Sequence, residues 1–147
     1  MLPFLPLLRR MRHGLTLGVR TIVISPAREV LLVRHSYASG WHFPGGGVDA
    51  GESAEAAARR ELLEEANVTV TGPMLLHGLF FNPRFGRRDH VVCFRVPQFS
   101  CGPVPAPNRE IRAVAFFPLD ALPPEVSPGT GRRLQEMSGA GGIAERW

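Results

Sequence analysis

Residues 45–68, GGGVDAGESAEAAARRELLEEANV, constrain this chain more than any other part of its sequence. A glycine run with a turn leads into a segment of helix-forming residues that carries three glutamates, Glu61, Glu64 and Glu65. Positions three and four apart lie on one face of a helix, so these carboxylates project together and repel one another. Such a cluster is tolerated on a fully solvated face or around a cation, and hard cations such as Mg²⁺ prefer oxygen ligands.

Both ends of this helix can be located from the sequence. Ser53 is one of the preferred N-cap residues, because its hydroxyl accepts a hydrogen bond from the first turn. At the other end, Asn67 is one of the few residues besides glycine that enter the left-handed conformation used in helix C-caps. The sequence therefore predicts a helix over residues 54–66, with an apolar i, i+4 stripe that packs on the core.

The other segments predict a strand-rich domain. Runs with β-branched and aromatic residues are separated by turn-forming Gly, Pro, Asn and Asp. The predicted strands are residues 19–24, 29–34, 68–70, 74–81, 90–96 and 110–117. Residues 98–108 contain three prolines and are expected to be irregular. Ser127 followed by Pro128 predicts the start of a last helix, which extends to about residue 138.

The helix and its glycine run resemble the Nudix box, the signature of the Nudix hydrolases. The family pattern is Gly, five residues, Glu, seven residues, and then Arg-Glu-aliphatic-any-Glu-Glu-any-Gly-aliphatic. The matching positions in this chain are Gly46, Glu52, Arg60, Glu61, Leu62, Glu64, Glu65, Asn67 and Val68. One position departs from the pattern, because Asn67 stands where the family has glycine. So many constrained positions at fixed spacing make the motif specific, unlike an isolated glycine triplet.

This resemblance implies a fold and a chemistry. The expected fold class is α/β (α+β), a Nudix-like α/β/α sandwich around a mixed β-sheet. The expected reaction is metal-dependent hydrolysis of a diphosphate linkage, in which water attacks phosphorus in a nucleoside diphosphate linked to another group. The implied cofactor is Mg²⁺ or Mn²⁺, and the implied partner is a small-molecule nucleoside diphosphate derivative.

The box also implies a set of metal ligands. Glu61 and Glu65 are the first candidates for direct ligands, and Glu64 completes the site directly or through water. The backbone carbonyl of Gly45 is a further candidate by resemblance. Divalent ions held on these carboxylates would neutralise the diphosphate and lower the pKa of a bound water.

The catalytic residues implied by the box are Glu64, Glu61, Arg60 and Glu52. We expect Arg60 to pair with Glu52 and so to fix the loop against the helix, which is a positioning role. The identity of the general base stays open, because family members use a glutamate of the box or one from a later loop. Glu64 and Glu61 are the candidates within the box, and Glu110 is the most suggestive acid outside it.

Candidates for substrate binding lie outside the box. Residues 82–89, NPRFGRRD, form a predicted loop whose arginines can bind phosphate or carboxylate groups, or can simply be solvated. We predict Arg84, Arg88 and Glu110 as substrate-binding residues, with Arg87 on the same loop. The aromatic residues that could stack on a base, if they are not core residues, are Tyr37, Trp41, Phe81 and Phe85.

Three segments are expected along the chain, at residues 1–14, 15–138 and 139–147. The first, an N-terminal arm, has its basic cluster after a short apolar run, which is the reverse of a signal peptide, and is too short to span a membrane. We expect this arm to pack on the domain or on a second subunit of a possible homodimer. The middle segment is the expected Nudix hydrolase domain, and the glycine-rich end is expected to be a flexible tail.

Composition narrows the function classes. A chain of 147 residues with 44% apolar residues suits one globular domain with its own core. Its net charge of +4 favours an anionic ligand without requiring one. Cys93 and Cys101 have no partner at zinc spacing, which favours reduced thiols and a cytoplasmic location. No segment of the sequence is predicted to form a membrane-spanning helix.

Two other phosphate-binding motifs overlap the glycine run, but both fit poorly. Residues 46–53 nearly match a P-loop, yet Glu52 stands where that loop needs lysine. The dinucleotide fingerprint requires a helix that opens on the glycines, whereas the predicted cap is Ser53.

Two functions other than hydrolysis also stay open. One is a non-catalytic Nudix-fold module that binds nucleotides or regulates a partner. The other is nucleic-acid binding through the basic loop and arm, which the lack of a recognisable reading motif disfavours.

Overall fold

The computed structural model describes residues 5–84, 86–139 and 141–147. The elements in chain order are α1 (Leu5–His13), β1 (Thr16–Ile22), β2 (Glu29–His35), β3 (Gly45–Gly47), α2 (Ala54–Ala66), β4 (Val68–Val70), β5 (Leu75–Asn82), β6 (Asp89–Arg95), β7 (Phe99–Cys101), β8 (Ile111–Pro118) and α3 (Pro128–Met137).

A four-stranded mixed sheet occupies the centre of the fold, with strand order β3-β1-β6-β5. Strand β1 runs parallel to β6 and antiparallel to β3, and β5 runs antiparallel to β6. Two smaller antiparallel sheets pair β2 with β8 and β4 with β7. A parallel pair needs a long crossover, and α2 lies within the connection from β1 to β6.

Helices α2 and α3 cover opposite faces of the strands. Neighbouring residues of a strand point to opposite faces, and β2 illustrates this division. Leu31 joins Leu62 of α2 in one buried cluster, whereas Leu32 joins a second buried cluster that contains Phe80. Leu134 of α3 packs against this second cluster. The predicted α/β/α sandwich around a mixed sheet is therefore confirmed.

Both predicted caps of α2 are present. The Ser53 hydroxyl accepts a hydrogen bond from the amide of Ala56 at 3.0 Å, as an N-cap residue does. Asn67 has φ 54° and ψ 39°, which is the left-handed conformation, and its amide donates to the carbonyl of Leu63 at 2.9 Å. Its side-chain amide also donates to the carbonyl of Pro103 at 3.0 Å. The departure from the Nudix pattern at this position therefore preserves the end of the helix.

Two short strands were not predicted. The glycine run forms β3, which is paired with β1, and part of the segment expected to be irregular forms β7, which is paired with β4. The first consists only of glycine and the second lies between Pro97 and Pro103, so neither has the β-branched residues that predicted β4. Their strand conformation depends on a partner distant in sequence.

The N-terminal arm, which was expected to pack on the domain or on a second subunit, contains a helix. Residues 5–13 form α1, and its described side chains, Pro6 and those of residues 8–13, are exposed, including the apolar Leu8 and Met11. These side chains are not buried against the domain, packing on a second subunit stays a prediction, and residues 1–4 of the arm lie outside the described residues. Among the described helices, none is long and apolar enough to cross a membrane.

The carboxyl-terminal segment corrects the expectation of a flexible tail. The amide of Phe81 donates to the carbonyl of Glu145 at 2.9 Å, and the amide of Trp147 donates back to the carbonyl of Phe81 at 3.0 Å. The Trp147 ring meets Phe80 edge to face at 5.6 Å. Glycine content suggested looseness, but backbone pairing with the end of β5 and the partial burial of the Trp147 ring hold this segment against the domain.

Two substitutions of Asn67 test the left-handed cap. Asn67→Val should lower the free energy of unfolding by about 1–2 kcal/mol relative to Asn67→Gly, because a β-branched residue is strained at positive φ. Chemical denaturation of both variants measures this difference. Equal stabilities of the valine and glycine variants would contradict the left-handed cap.

Candidate active site

Helix α2 presents two buried rows of side chains, and one of them is acidic. The i, i+4 rows are Ala57, Glu61 and Glu65 beside Ala58, Leu62 and Ala66, and all six residues are buried. Glu61 and Glu65 are only 9% and 3% exposed. Glu64, by contrast, has 60% of its side chain exposed. The predicted carboxylate cluster therefore consists of two enclosed carboxylates and one at the surface.

Glu65 is held at both of its carboxylate oxygens. The amide of Gly45 donates to Oε2 at 3.1 Å, and Nε2 of His35 lies 2.9 Å from Oε1. These contacts connect α2 to β3 and to the end of β2. The predicted ligand thus lies where two strands and the helix meet.

The glycines of β3 are required by close packing. A Cβ atom on Gly46 would lie 2.4 Å from Oε1 of Glu61, and one on Gly45 would lie 1.9 Å from the carbonyl oxygen of Val19. Any side chain at these positions would displace either the carboxylate or the neighbouring strand. The glycine run therefore lets backbone approach the two buried carboxylates directly.

Arg60 connects the loop to the acidic face of α2. Its Nε and Nη2 donate to the two carboxylate oxygens of Glu52 at 2.8 and 2.9 Å, as the sequence predicted. Its Nη1 lies 3.0 Å from Oε1 of Glu61 and 3.4 Å from Oε2 of Glu64. The bidentate hydrogen bond from Arg60 lowers the pKa of Glu52 to about 2.

The enclosed pair of carboxylates is electrostatically unfavourable. Burial raises the pKa of Glu61, and the neighbouring charge of Glu65 raises it further, whereas the hydrogen bond from Arg60 opposes both effects. A bound cation would remove this repulsion. Buried carboxylate oxygens beside backbone groups are the hard donors that Mg²⁺ and Mn²⁺ prefer, so the residues present fit such an ion.

The described residues do not contain three His, Cys, Asp or Glu side chains already arranged as a metal cage. Glu64 is turned toward Arg60, which also lies against Glu61. Mg²⁺ usually takes only one or two carboxylates, with water and substrate phosphates as its other ligands. The pair of Glu61 and Glu65 meets that smaller requirement, and Glu64 and the carbonyl of Gly45 remain predicted ligands.

Residues that the motif did not identify complete the surroundings of this pair. His35 contacts Glu65 directly, and Nη1 of Arg20 donates to the carbonyl of Phe43 at 2.8 Å, next to the glycine strand. Strand alternation could have identified His35, since it shares a face of β2 with Leu31, which packs on α2. Arg20 could have been noticed as the one charged residue of strand β1.

Glu110 lies beside the same site. Its carbonyl accepts a hydrogen bond from the amide of Ser36 at 2.8 Å, which places it next to the end of β2. Burial raises the pKa of Tyr37, and the charges of Glu65, Glu110 and Glu61 also raise it, while Arg20 lowers it. Tyr37 therefore lies among the carboxylates of α2 and Glu110.

The basic loop divides into residues with different surroundings. Arg84 lines a cavity of about 370 Å³, whose walls include His42, Asn82, Arg132, Arg146 and Trp147. Arg88 instead donates to the carbonyl of Gly14 at 3.0 Å and is not among the residues that line this cavity. Arg84 and Arg88 therefore have different surroundings, and the substrate contacts of both stay predictions.

The aromatic candidates for base stacking are mostly engaged with other side chains. The Trp41 ring meets Phe117 edge to face at 4.7 Å, and Phe81 lies 5.6 Å from His90. Tyr37 lies 4.9 Å from the His35 ring and is 64% exposed, so it remains accessible beside the carboxylates. Phe85 lies outside the described residues.

Comparison with known proteins agrees with this geometry. The family model of the NUDIX domain matches residues 14–137. A Bacillus subtilis protein, provisionally named 8-oxo-dGTP diphosphatase, is 38% identical over 122 residues, which cover 83% of this chain and 79% of that relative. An RNA pyrophosphohydrolase of Caulobacter vibrioides is 69% identical over 29 residues, which cover 20% of this chain and only 17% of that relative.

A solved structure shares the fold. The crystal structure of a MutT NUDIX hydrolase from Burkholderia pseudomallei superposes with a TM-score of 0.70 at 24% identity. The match covers 82% of this chain and 95% of that chain. At this level of identity the likeness concerns the fold.

We predict that Glu61→Gln stabilises the metal-free protein. Because the pKa of Glu61 is raised in the folded state, the charged form opposes folding, and this penalty grows as pH rises from the unfolded value to the folded value and then persists. In excess chelator, Glu61→Gln should melt above the parent at pH 8, and the difference should shrink at acidic pH.

Glu64→Gln is the matched control for this measurement, because Glu64 is largely exposed and should change the melting temperature little. A Glu61→Gln variant that melts below the parent at pH 8 would show that the hydrogen bond from Arg60 outweighs the cost of burial.

Proposed function

Because this chain belongs to the Nudix hydrolases, enzymes that act on phosphorus anhydrides, we propose that it is a Mg²⁺- or Mn²⁺-dependent pyrophosphohydrolase acting on a small nucleoside diphosphate derivative. One observation carries the proposal: Glu61 and Glu65 are buried side by side against a glycine strand in which Gly45 and Gly46 leave no room for a Cβ atom. Such a pair raises the free energy of the metal-free protein unless a cation or a proton compensates it.

The carboxylate pair and its neighbours would hold the ion. Glu61 and Glu65 supply the enclosed oxygens, and Glu64 with the carbonyl of Gly45 completes the set. A divalent ion supplies charge neutralisation of the diphosphate and a lowered pKa for bound water. Arg60 makes two hydrogen bonds to Glu52 and so fixes the loop before α2 against the acidic row of that helix.

The hydrolysis itself needs an acceptor for one proton. The oxygen of water bonds to phosphorus, the bridging P–O bond breaks, and the proton lost by the water passes to a carboxylate. Glu64 is exposed and next to the buried pair, and Glu110 lies near Tyr37. Comparing the pH dependence of kcat for Glu64→Gln and Glu110→Gln would identify the base, because loss of the base removes the acidic limb of the profile.

The remainder of the substrate has a suitable place next to the carboxylates. The cavity of about 370 Å³ is lined by three arginines, Arg84, Arg132 and Arg146, and none of its described lining side chains is acidic. It adjoins the carboxylate site through His42, whose ring lies 5.9 Å from that of His35. A pocket of this size and charge suits part of an anionic nucleotide.

The alternative of a non-catalytic nucleotide-binding module has less support. A module that only binds a nucleotide needs the basic cavity but has no use for two enclosed like charges, which lower stability without an ion. An assay that detects nucleotide binding without phosphate release, at saturating Mg²⁺ or Mn²⁺, would favour that alternative.

A substrate panel tests the proposed activity. The first compounds are 8-oxo-dGTP and an RNA with a 5′-terminal pyrophosphate, chosen from the names of the two relatives, with dGTP, a dinucleotide and ADP-ribose beside them. Hydrolysis should require Mg²⁺ or Mn²⁺ and should stop in excess chelator. Full activity in chelator would contradict the proposal.

We predict that substitution of the proposed ligand Glu65 lowers kcat/KM more than substitution of the positioning residue Arg60. Glu65→Gln should lower kcat/KM by more than about 100-fold, whereas Arg60→Ala should lower it by about 10- to 100-fold, because partners of a ligand matter less than the ligand itself. Circular dichroism must show both variants folded. A larger loss in Arg60→Ala than in Glu65→Gln would reverse the assigned roles.

A further inference from the structure

The side chain of His35 lies on the face of β2 that packs against α2. It is the last residue of β2, and the pairing of β2 with β8 shifts register between Arg34 and His35. Side chains alternate along a strand, so His35 shares a face with Leu31, which packs in the cluster containing Leu62 of α2. The extra residue at this shift, Arg112, belongs to β8, so the alternation of side chains along β2 continues unbroken to His35. The end of β2 therefore places the imidazole of His35 beside Glu65, in the acidic row of α2.

The contact between His35 and Glu65 is fully enclosed. Nε2 of His35 lies 2.9 Å from Oε1 of Glu65, with side-chain exposures of 0% and 3%. An ionised carboxylate only accepts hydrogen bonds, so Nε2 carries the proton in this contact. The other ring nitrogen, Nδ1, is buried and has no hydrogen-bond partner among the described residues. A histidine retained only for packing would gain from satisfying both nitrogens or from replacement by an apolar residue.

The remaining hydrogen-bonding capacity of Glu65 is directed away from these two contacts. A carboxylate has about four lone-pair directions. His35 occupies one on Oε1, and the amide of Gly45 occupies one on Oε2. One further direction on each oxygen is therefore left, and the carboxylate plane cannot rotate without breaking one of the two contacts.

We propose that His35 is a positioning residue of the hydrolase, which fixes the carboxylate of Glu65 so that its free lone pairs face the divalent ion. The inference rests on the proposed function, since it assigns Glu65 as a ligand. His35 itself touches neither the ion nor the substrate. Loss of the His35 hydrogen bond leaves the carboxylate of Glu65 able to rotate. This freedom weakens binding of the ion and lowers kcat, while KM for the nucleotide stays nearly unchanged.

Three substitutions of His35 separate its hydrogen bond from its packing. His35→Gln keeps an amide donor at about the distance of Nε2, whereas the amide of His35→Asn is too short to reach Glu65. His35→Leu keeps an apolar side chain of similar size but no donor. Mn²⁺ binding without nucleotide, followed by electron paramagnetic resonance, should weaken about 10- to 100-fold in the Leu and Asn variants and should recover in the Gln variant.

A second buried histidine–glutamate pair provides the control. Nε2 of His77 lies 2.9 Å from Oε1 of Glu136, with side-chain exposures of 0% and 8%, where β5 meets α3. This pair matches the first in distance and burial, but it lies on the opposite side of the sheet from α2. His77→Leu should lower the melting temperature and leave Mn²⁺ affinity unchanged.

The outcomes distinguish the inference from the function on which it rests. If Glu65→Gln abolishes Mn²⁺ binding while His35→Leu and His35→Asn bind Mn²⁺ like the parent, the role of His35 is wrong and the proposed function stands. An equal loss in the Gln and Leu variants, or in His77→Leu, would also overturn it, because packing alone would then explain the effect. If the parent binds no Mn²⁺ and hydrolyses no diphosphate, both proposals fail together.

Discussion

The enclosure of two neighbouring carboxylates, Glu61 and Glu65, is the constraint on which the rest of this structure depends. Like charges out of water are stable only when their surroundings supply donors and countercharge. The protein supplies a guanidinium from Arg60, a backbone amide from β3 and an imidazole from the end of β2. Each donor comes from a different element, so the enclosure of the carboxylates depends on the assembled sandwich. The same enclosure would favour the binding of a cation, which the proposed chemistry requires.

Stability and function oppose each other at this site. The apolar row of α2 packs on the core through Leu62, while the adjacent acidic row is buried at an electrostatic cost. Glycines of β3 accept the close approach of Glu61, where any Cβ atom would collide with its carboxylate. The buried apolar clusters on both sides of the sheet stabilise the fold and offset this electrostatic cost. This arrangement agrees with the general observation that functional sites break local rules which the remainder of the fold obeys.

The basic cavity is built from parts of the chain that are distant in sequence. Arg84 comes from the loop before β6, Arg132 from α3, and Arg146 from the carboxyl-terminal segment. The last of these is positioned because the end of the chain pairs with Phe81 of β5 and places Trp147 against Phe80. A segment whose composition suggested a loose tail thus forms part of a wall beside the proposed active site.

The sequence by itself determined the elements whose signals are local. The spacing of Glu61, Glu64 and Glu65, the cap residues Ser53 and Asn67, and the pairing of Arg60 with Glu52 all depend on residues within one helix and the loop before it. Only the tertiary structure decided which carboxylates are buried, that His35 contacts Glu65, that Arg88 turns to Gly14, and that the chain end docks on β5. The physical reason is that these contacts join residues far apart in sequence. Their formation depends on strand pairing and register, which no local pattern of side chains encodes.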